Sequence, residues 1–246
     1  MASFHLKDVT LGYDGHAAVH HLDGTVAQGS LTAVIGPNGS GKSTLLKGLV
    51  GTLEPLGGHI EREGFDVRDI AYLPQASEID RNFPATVEDL VTLGHWRRRG
   101  LFAAILGPDR ASIREALMAV GLDGFQSRPI ETLSGGQLQR ALFARVLLQD
   151  AKVILLDEPF TAIDSKTVND LVALVKRWHR EERTVLAVLH DVELVRENFP
   201  DAILLARRPV AWGKTNAVLK PENLLEARRM NEAWEDHADW CETGAA

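Results

Sequence analysis

The chain has 246 residues, of which 45% are hydrophobic and 25% are charged, and its formal net charge is −7. A chain of this length can form one large domain, or two lobes, around a full hydrophobic core. The acidic balance argues against a nucleic-acid binder, because such proteins gain affinity by neutralising phosphates with Lys and Arg. We therefore expect no nucleic-acid partner.

The sequence predicts neither a membrane span nor an export signal. Its longest apolar runs fall far short of the roughly 20 residues that cross a bilayer as a helix. The N-terminal residues contain no basic segment followed by a long apolar one. Cys241 is the only cysteine, which excludes a disulfide within the chain. We therefore expect a cytosolic protein.

Strand-like and helix-like segments alternate along the chain, which is typical of an α/β domain with a largely parallel sheet. The first predicted strand begins near Phe4, and a second, at residues 31–35, ends in a glycine-rich turn. Leu45 and Leu49 follow at helical spacing, so this turn lies between a strand and a helix. Further apolar strands are predicted at residues 70–73, 153–156, 185–189 and 202–205.

From residue 84 to about residue 150 the apolar pattern changes to a helical period. The residues that recur at this spacing are Val87, Leu90, Val91, Ile113, Leu117, Val120, Leu138, Leu142 and Val146. We therefore predict a helical subdomain at residues 84–150, inserted into a core formed by residues 1–83 and 151–246.

Residues 36–43 read GPNGSGKS and match the phosphate-binding pattern GxxxxGKS. Glycines allow backbone N–H groups to converge on phosphate oxygens at a helix N-terminus. Lys42 is predicted to reach the β and γ phosphates of ATP, and the Ser43 hydroxyl to bind Mg²⁺. The predicted nucleotide-binding residues of this loop are Gly36, Pro37, Asn38, Gly39, Ser40, Gly41, Lys42, Ser43 and Thr44.

The apolar strand at residues 153–156 is followed by two acidic residues. Asp157 is predicted to hold Mg²⁺, as the acid at this place does in P-loop enzymes. Glu158 is then placed to orient or deprotonate the attacking water, a role typically worth about 10² to 10⁴ in rate. Together with the phosphate loop, this pair indicates ATP hydrolysis.

Residues 133–137 read LSGGQ and stand between these two motifs. This sequence resembles the signature of the ABC ATPases. Ser134 is a good helix N-cap, and the two glycines after it leave N–H groups at the positive end of a helix dipole. The resemblance extends from Phe4 to about Ala206. It implies an α/β P-loop NTPase with a RecA-like core, an antiparallel β edge and an inserted α-helical subdomain.

The resemblance also implies roles for single residues. Tyr13 resembles the aromatic residue that stacks on adenine, Gln75 the glutamine that reaches Mg²⁺ and the attacking water, and His190 the switch histidine at the γ-phosphate. Asp164 resembles the acid of the D-loop, which follows the acidic pair Asp157 and Glu158 in the chain. The implied catalytic residues are Glu158, His190, Gln75 and Lys42. The implied Mg²⁺ ligands are Ser43, Gln75 and Asp157, and the signature residues are Ser134, Gly135, Gly136 and Gln137.

In this family two copies associate head to tail, so the signature of one copy faces the phosphate loop of the other. The implied partners are a second copy of the chain, an integral-membrane permease and, indirectly, an extracytoplasmic metal-binding protein. The chain would then be a peripheral subunit at the cytoplasmic face of the membrane. We expect a permease helix in the groove beside Gln75 and residues 84–96.

Two segments resemble the ATPase subunits of importers for zinc and manganese, namely SEIDRNFPATV at residues 77–87 and DEPFT at residues 157–161. This resemblance favours zinc import, with manganese next. ATPases of iron-siderophore, haem and cobalamin importers share the architecture and remain an alternative, and an exporter subunit is another. A soluble ABC protein is disfavoured because there is one cassette and no long coiled coil. A non-catalytic regulator is disfavoured because Glu158 and His190 are both present.

Four other groups of residues have ordinary structural explanations. The cluster of His16, His20 and His21 lacks the paired spacing of a zinc site. The acidic tail with His237, Asp239, Cys241 and Glu242 is predicted to be a frayed terminus rather than a metal site. The basic run at residues 96–99 is predicted to be a solvated surface, with contact to lipid headgroups or a membrane partner as the alternative. A final helix is predicted to pack on the core through Leu224, Leu225, Met230, Trp234 and Trp240.

Overall fold

The computed structural model describes residues 3–96 and 107–236. The strands are β1 (Ser3–Tyr13), β2 (His16–Val26), β3 (Leu31–Ile35), β4 (Gly57–Glu63), β5 (Ile70–Leu73), β6 (Val153–Asp157), β7 (Thr184–Val188), β8 (Asp201–Ala206) and β9 (Arg208–Lys214). The helices are α1 (Lys42–Val50), α2 (Val87–Thr92), α3 (Gly107–Ala119), α4 (Gly135–Gln149), α5 (Ser165–Arg180), α6 (Val192–Asn198), α7 (Thr215–Val218) and α8 (Pro221–Asp236).

The larger sheet contains six strands in the order β5-β6-β7-β3-β8-β9. All neighbouring pairs are parallel except β8 and β9. Every residue of β3, β6 and β7 is buried, because helices cover both faces of a parallel sheet and only continuous apolar strands fit there. The carboxyl ends of these three strands lie side by side, and functional loops of α/β proteins gather at such an edge.

The smaller sheet has the order β2-β1-β4 and is antiparallel. Its apolar residues share one hydrophobic cluster with helix α1 and one face of the larger sheet. Phe4 and Leu11 of β1 are fully buried there, as are Leu46 and Leu49 of α1. This packing fixes the helix that begins at the phosphate loop. The predicted α/β fold with an antiparallel β edge is confirmed.

Helices α2, α3 and α4 lie between β5 and β6 in the chain, and all nine apolar residues named from the helical period are buried. Phe143 of α4 stacks on Phe160 and on Trp178 of α5, with ring centroids 6.2 Å apart in both pairs. These aromatic contacts join the helical part to the loop after β6 and to helix α5. The domain boundaries at residues 84 and 150 stay a prediction.

Helix α8 ends the described chain. Ala227 is buried and Leu224 and Met230 are partly buried against the core, whereas Leu225 is 50% exposed, so the prediction that Leu225 packs inward is wrong. The side chain of Trp234 and the residues Arg97–Arg99, His237, Asp239, Trp240, Cys241 and Glu242 lie outside what the structure describes. Within residues 3–96 and 107–236, none of the helices is long and apolar enough to cross a bilayer.

Candidate functional site

The phosphate loop follows the buried strand β3 and leads into α1. Two of its glycines are required by close packing. A Cβ at Gly36 would lie 1.9 Å from the carbonyl oxygen of Leu205. Gly41 has φ 91° and a Cβ there would lie 2.6 Å from the carbonyl oxygen of Ala18. Only glycine fits these positions, so the loop is held in its turned shape by the strands around it.

The loop forms one wall of an open cleft of about 790 Å³. The cleft is lined by Ala18, Asn38, Gly39, Ser40, Gly41, Lys42, Ser43, Thr44, Gln75, Glu158 and His190. Residues predicted from four separate sequence segments, namely the phosphate loop and the segments of Gln75, Glu158 and His190, therefore meet in one place. Tyr13 lies at the end of β1 and is 47% exposed.

Lys42 is buried against its own loop. Its Nζ donates to the carbonyl oxygens of Gly36 at 3.0 Å and Pro37 at 2.7 Å. Burial lowers the pKa of Lys42, and the nearby carboxylates of Glu158 and Asp157 oppose this shift. The amine is thus held at the floor of the cleft by neutral acceptors that an anionic ligand can replace.

Asp157 lies at the end of β6 and has no exposed surface. Its Oδ1 accepts from Ser43 Oγ at 3.0 Å, and its Oδ2 accepts from the Tyr72 hydroxyl at 3.4 Å. Burial raises the pKa of Asp157, while the hydrogen bonds from Ser43 and Tyr72 oppose this shift. Gln75 Nε2 lies 3.5 Å from Ser43 Oγ. Hydroxyl and carboxylate oxygens are ligands that Mg²⁺ prefers, so Ser43 and Asp157 fit the ion. Gln75 presents its amide nitrogen here, while its Oε1 accepts from Ser77 Oγ at 3.3 Å, so its predicted contact with Mg²⁺ stays a prediction.

Glu158 faces the cleft from the first residue after β6. Its Oε1 accepts from Gln75 Nε2 at 2.8 Å and lies 2.8 Å from His190 Nε2. Its Oε2 accepts from Thr161 Oγ1 at 3.3 Å. The backbone of Glu158 has φ 48°, a left-handed conformation that is strained for this residue type and is found at functional sites. A carboxylate held in this way can orient a water molecule and take its proton.

The signature sequence forms the N-terminus of α4. Ser134 Oγ accepts from the Gln137 N–H at 3.2 Å, and Gln137 Oε1 accepts from the Ser134 N–H at 2.9 Å. This reciprocal cap matches the predicted N-cap and leaves the N–H groups of Gly135 and Gly136 at the helix terminus. None of these four residues lines the cleft described above.

Asp164 caps helix α5. Its carboxylate accepts from the Thr167 hydroxyl at 2.7 Å and from the Thr167 N–H at 3.0 Å. These two hydrogen bonds hold the pKa of Asp164 below its usual value. Asp164 also does not line the cleft of its own chain, so its predicted nucleotide contact stays a prediction.

The sequence profile of the ABC transporter family matches residues 19–161. The chain belongs to this family. A manganese transport system ATP-binding protein of Synechocystis is 41% identical over 213 residues, which cover 84% of this chain and 82% of that protein. A zinc transport system ATP-binding protein of Treponema pallidum is 38% identical over 229 residues, which cover 90% and 85% of the two chains.

Solved structures agree with this family membership. A metal-chelate type ABC transporter in an inward-facing conformation superposes with a TM-score of 0.80 at 28% identity, covering 93% of this chain and 90% of the other. A dimeric ATP-binding cassette in a post-hydrolysis state, bound to ADP and phosphate, superposes with a TM-score of 0.74 at 25% identity, covering 86% and 98%. The protein is thus an ABC-type ATPase subunit that binds nucleotide.

Tyr72 and Thr161 of this ABC ATPase contact the acidic pair Asp157 and Glu158, and the sequence predicted no role for either of them. Thr161 contacts Glu158, and Tyr72 contacts Asp157. The contact of Tyr72 with Asp157 can be predicted once the strand pairing is known. Tyr72 of β5 pairs with Leu155 of β6, and Leu155 and Asp157 lie on the same face of β6. Thr161 carries no comparable signal, since its contact depends on the conformation of the loop after Glu158.

Proposed function

We propose that this ABC ATPase hydrolyses MgATP to drive the import of a transition metal ion, zinc or manganese, through a partner permease. The observation that carries the proposal is the convergence of Lys42 and Glu158 in one cleft with the glutamine and histidine that contact Glu158. Asp157 lies buried behind this cleft and is hydrogen-bonded to Ser43 in its wall. The metal is inferred from relatives named for manganese and for zinc transport. Because relatives are named for each of the two metals, they do not support the prediction that zinc is favoured over manganese.

Nucleotide binding begins at the phosphate loop. The loop N–H groups and the N-terminus of α1 receive the phosphates, and Lys42 exchanges its two carbonyl acceptors for phosphate oxygens. Ser43 and Asp157, together with Gln75, would hold Mg²⁺. When bound, Mg²⁺ neutralises charge on the β and γ phosphates. Tyr13 is exposed at the end of β1 and would stack on the adenine ring.

Hydrolysis then requires an oriented water molecule at the γ-phosphate. Glu158 accepts the proton of this water, and its Oε1 is positioned by Gln75 and His190. The His190 side chain is 42% exposed and lines the cleft, so the same imidazole is accessible to the γ-phosphate. The two donors on one carboxylate oxygen keep the base in place until water and phosphate enter.

The active arrangement contains two copies of the chain. The N–H groups of Gly135 and Gly136 are a second anion-binding end, and in one chain they do not line the cleft. A head-to-tail pair brings Ser134 and Gly136 of one copy to the γ-phosphate of the other. The similar cassette that is dimeric with ADP and phosphate supports this arrangement.

The proposed permease contact lies beside Gln75 and helix α2. Phe83 is 64% exposed and Trp96 is 50% exposed, so apolar side chains flank this surface. A cytoplasmic helix of the permease would cover them and hold the subunit at the cytoplasmic face of the membrane. An extracytoplasmic binding protein would deliver the metal to the permease. Cross-linking that finds no permease contact at these residues would contradict this part of the proposal.

The experiment that tests the cargo is a comparison of metal content in cells with and without the gene for this chain. Cellular zinc or manganese, measured by mass spectrometry, falls in the deletion strain and returns with the wild-type gene. The Glu158→Gln variant does not restore it, whereas Glu226→Gln, an exposed residue on α8, does. Loss of iron or cobalt instead favours a chelate importer, the candidate supported by the metal-chelate type neighbour. Unchanged content of all these metals refutes metal import.

A further inference from the structure

Tyr72 joins the proposed Mg²⁺ site to the helical part of the molecule, and no predicted role accounts for it. It stands on β5, three residues before Gln75, and is partly buried against the cluster that packs α1. Its hydroxyl donates to Asp157 Oδ2 at 3.4 Å, the carboxylate oxygen that Ser43 leaves free. Both oxygens of the buried carboxylate are therefore held by neutral hydroxyl donors.

The backbone of the same residue is held from the other side. Arg145 of α4 donates from Nη2 to the Tyr72 carbonyl oxygen at 2.8 Å. Arg145 lies on the helix that begins with the signature sequence. One residue thus contacts the buried acid of the cleft through its side chain and the signature helix through its backbone.

We propose that Tyr72 is a positioning residue for Asp157, and that the Arg145 contact makes this positioning depend on the location of helix α4. The inference rests on the proposed role of Asp157 as a Mg²⁺ ligand. Ligating carboxylates in metal sites are oriented by hydrogen bonds from residues that do not touch the metal, and loss of such a partner typically lowers metal affinity about 10- to 100-fold. Tyr72 occupies this place beside Asp157.

The ionisation of the phenol agrees with a donor role. Burial is the main factor that raises the pKa of Tyr72, and the negative charge of Asp157 adds to it. The hydroxyl therefore stays protonated at physiological pH and presents its proton to the carboxylate. Tyr72→Phe removes this proton donor and leaves the ring in its packing position.

The test measures Mn²⁺ binding in place of Mg²⁺, by electron paramagnetic resonance, with a non-hydrolysable ATP analogue and the full-length protein. Tyr72→Phe weakens Mn²⁺ binding about tenfold, near the lower end of the range because the hydrogen bond is long. Binding of the analogue in EDTA stays within about twofold of wild type. Thr215→Val, which removes a buried hydroxyl bonded to the Phe199 carbonyl far from the cleft, lowers thermal stability and leaves Mn²⁺ affinity unchanged.

Arg145→Ala tests the link to the signature helix. This variant also weakens Mn²⁺ binding. The double variant Arg145→Ala with Tyr72→Phe loses no more Mn²⁺ affinity than Tyr72→Phe alone, because Arg145 acts on Asp157 only through Tyr72. Additive losses overturn the link. Unchanged or tighter Mn²⁺ binding in Tyr72→Phe overturns the positioning role. Asp157→Asn separates the two proposals, because unchanged Mn²⁺ binding in that variant refutes the proposed metal site itself.

Discussion

Replacing Glu158 by glutamine tests the chemistry of the site most directly. The amide keeps the size of the side chain and an oxygen that accepts from Gln75 at the present 2.8 Å. On the Oε2 side the amide N–H₂ can donate to the Thr161 hydroxyl, which donates to the carboxylate in the wild type. The cleft therefore retains its shape, and the change removes the proton acceptor alone.

The expected loss follows from this one function. General-base catalysis is typically worth about 10² to 10⁴ in rate, which corresponds to about 3 to 5 kcal/mol of transition-state stabilisation. Phosphate release in the reconstituted transporter falls by this factor, while the affinity for ATP stays within about twofold. Because bound ATP is no longer consumed, the paired copies accumulate and elute as a dimer in size-exclusion chromatography with ATP.

Two further variants complete the experiment. Glu158→Asp keeps a carboxylate but withdraws it by one methylene from Gln75 and His190, so turnover falls although a base is present. Glu226→Gln on the exposed face of α8 retains wild-type turnover. Phosphate release in Glu158→Gln within threefold of wild type, with ATP binding intact, would refute the assignment of the base.

Three other variants probe separate parts of the site. Lys42→Ala weakens ATP binding about 10- to 100-fold, because at least one charge-assisted hydrogen bond to the phosphates is lost. Titration with a fluorescent ATP analogue measures this loss. The control Lys152→Ala, whose amine is bonded to Asp69, binds the analogue as the wild type does. Ser134→Arg leaves nucleotide binding by the single chain intact but abolishes ATP-dependent dimerisation and turnover; full ATPase activity in the assembled transporter contradicts the composite site. Asp157→Asn raises the unfolding temperature of the nucleotide-free protein near pH 8, because burial raises the pKa of Asp157 and penalises its charged form. As pH falls through that raised pKa, Asp157 of the wild type binds a proton, so the unfolding temperatures of the wild type and Asp157→Asn become more similar. An Asp157→Asn variant that is less stable than the wild type at every pH would refute this reasoning.

The strands that position the site could be predicted because short, continuously apolar segments of this kind are typical of buried strands in a parallel sheet. β3, β6 and β7 are continuously apolar and buried on both faces, and the sequence pattern placed each of them within one residue at either end. The strands β2, β4 and β9 have no such pattern. β4 reads GGHIERE with none of its residues fully buried. The second residue of β9 is Pro209, which lacks a backbone N–H and fits a strand at the edge of a sheet.

The contacts within the cleft could be predicted only where a known motif supplied them. The motifs predicted which side chains face the nucleotide, but not that Lys42 folds onto the carbonyls of its own loop. The bond from Tyr72 to Asp157 depends on the register of β5 against β6, and residues 85 positions apart in the chain carry no local sign of it. Such contacts follow from strand pairing rather than from side-chain periodicity.

Residues 72–81 connect the two parts of the molecule mainly through directional polar contacts. Arg145 binds the Tyr72 carbonyl, Lys47 of α1 binds Glu78 at 2.7 Å, and the guanidinium of Arg81 binds the Leu133 carbonyl oxygen beside the signature. The aromatic stacking of Phe143 holds the helical part by apolar contact, which depends little on direction.

A small rotation of helix α4 would therefore preserve the aromatic packing and change the hydrogen bonds first, because hydrogen bonds weaken steeply with angle. Those bonds end at Tyr72 and at the loop that carries Gln75, and from there they reach Asp157 and Glu158. A movement imposed on the helical part by a second copy or by a permease would thus act on the metal ligand and the base together. In the proposed assembly, contacts with a partner would therefore act on hydrolysis through these hydrogen bonds, without a movement of the phosphate loop.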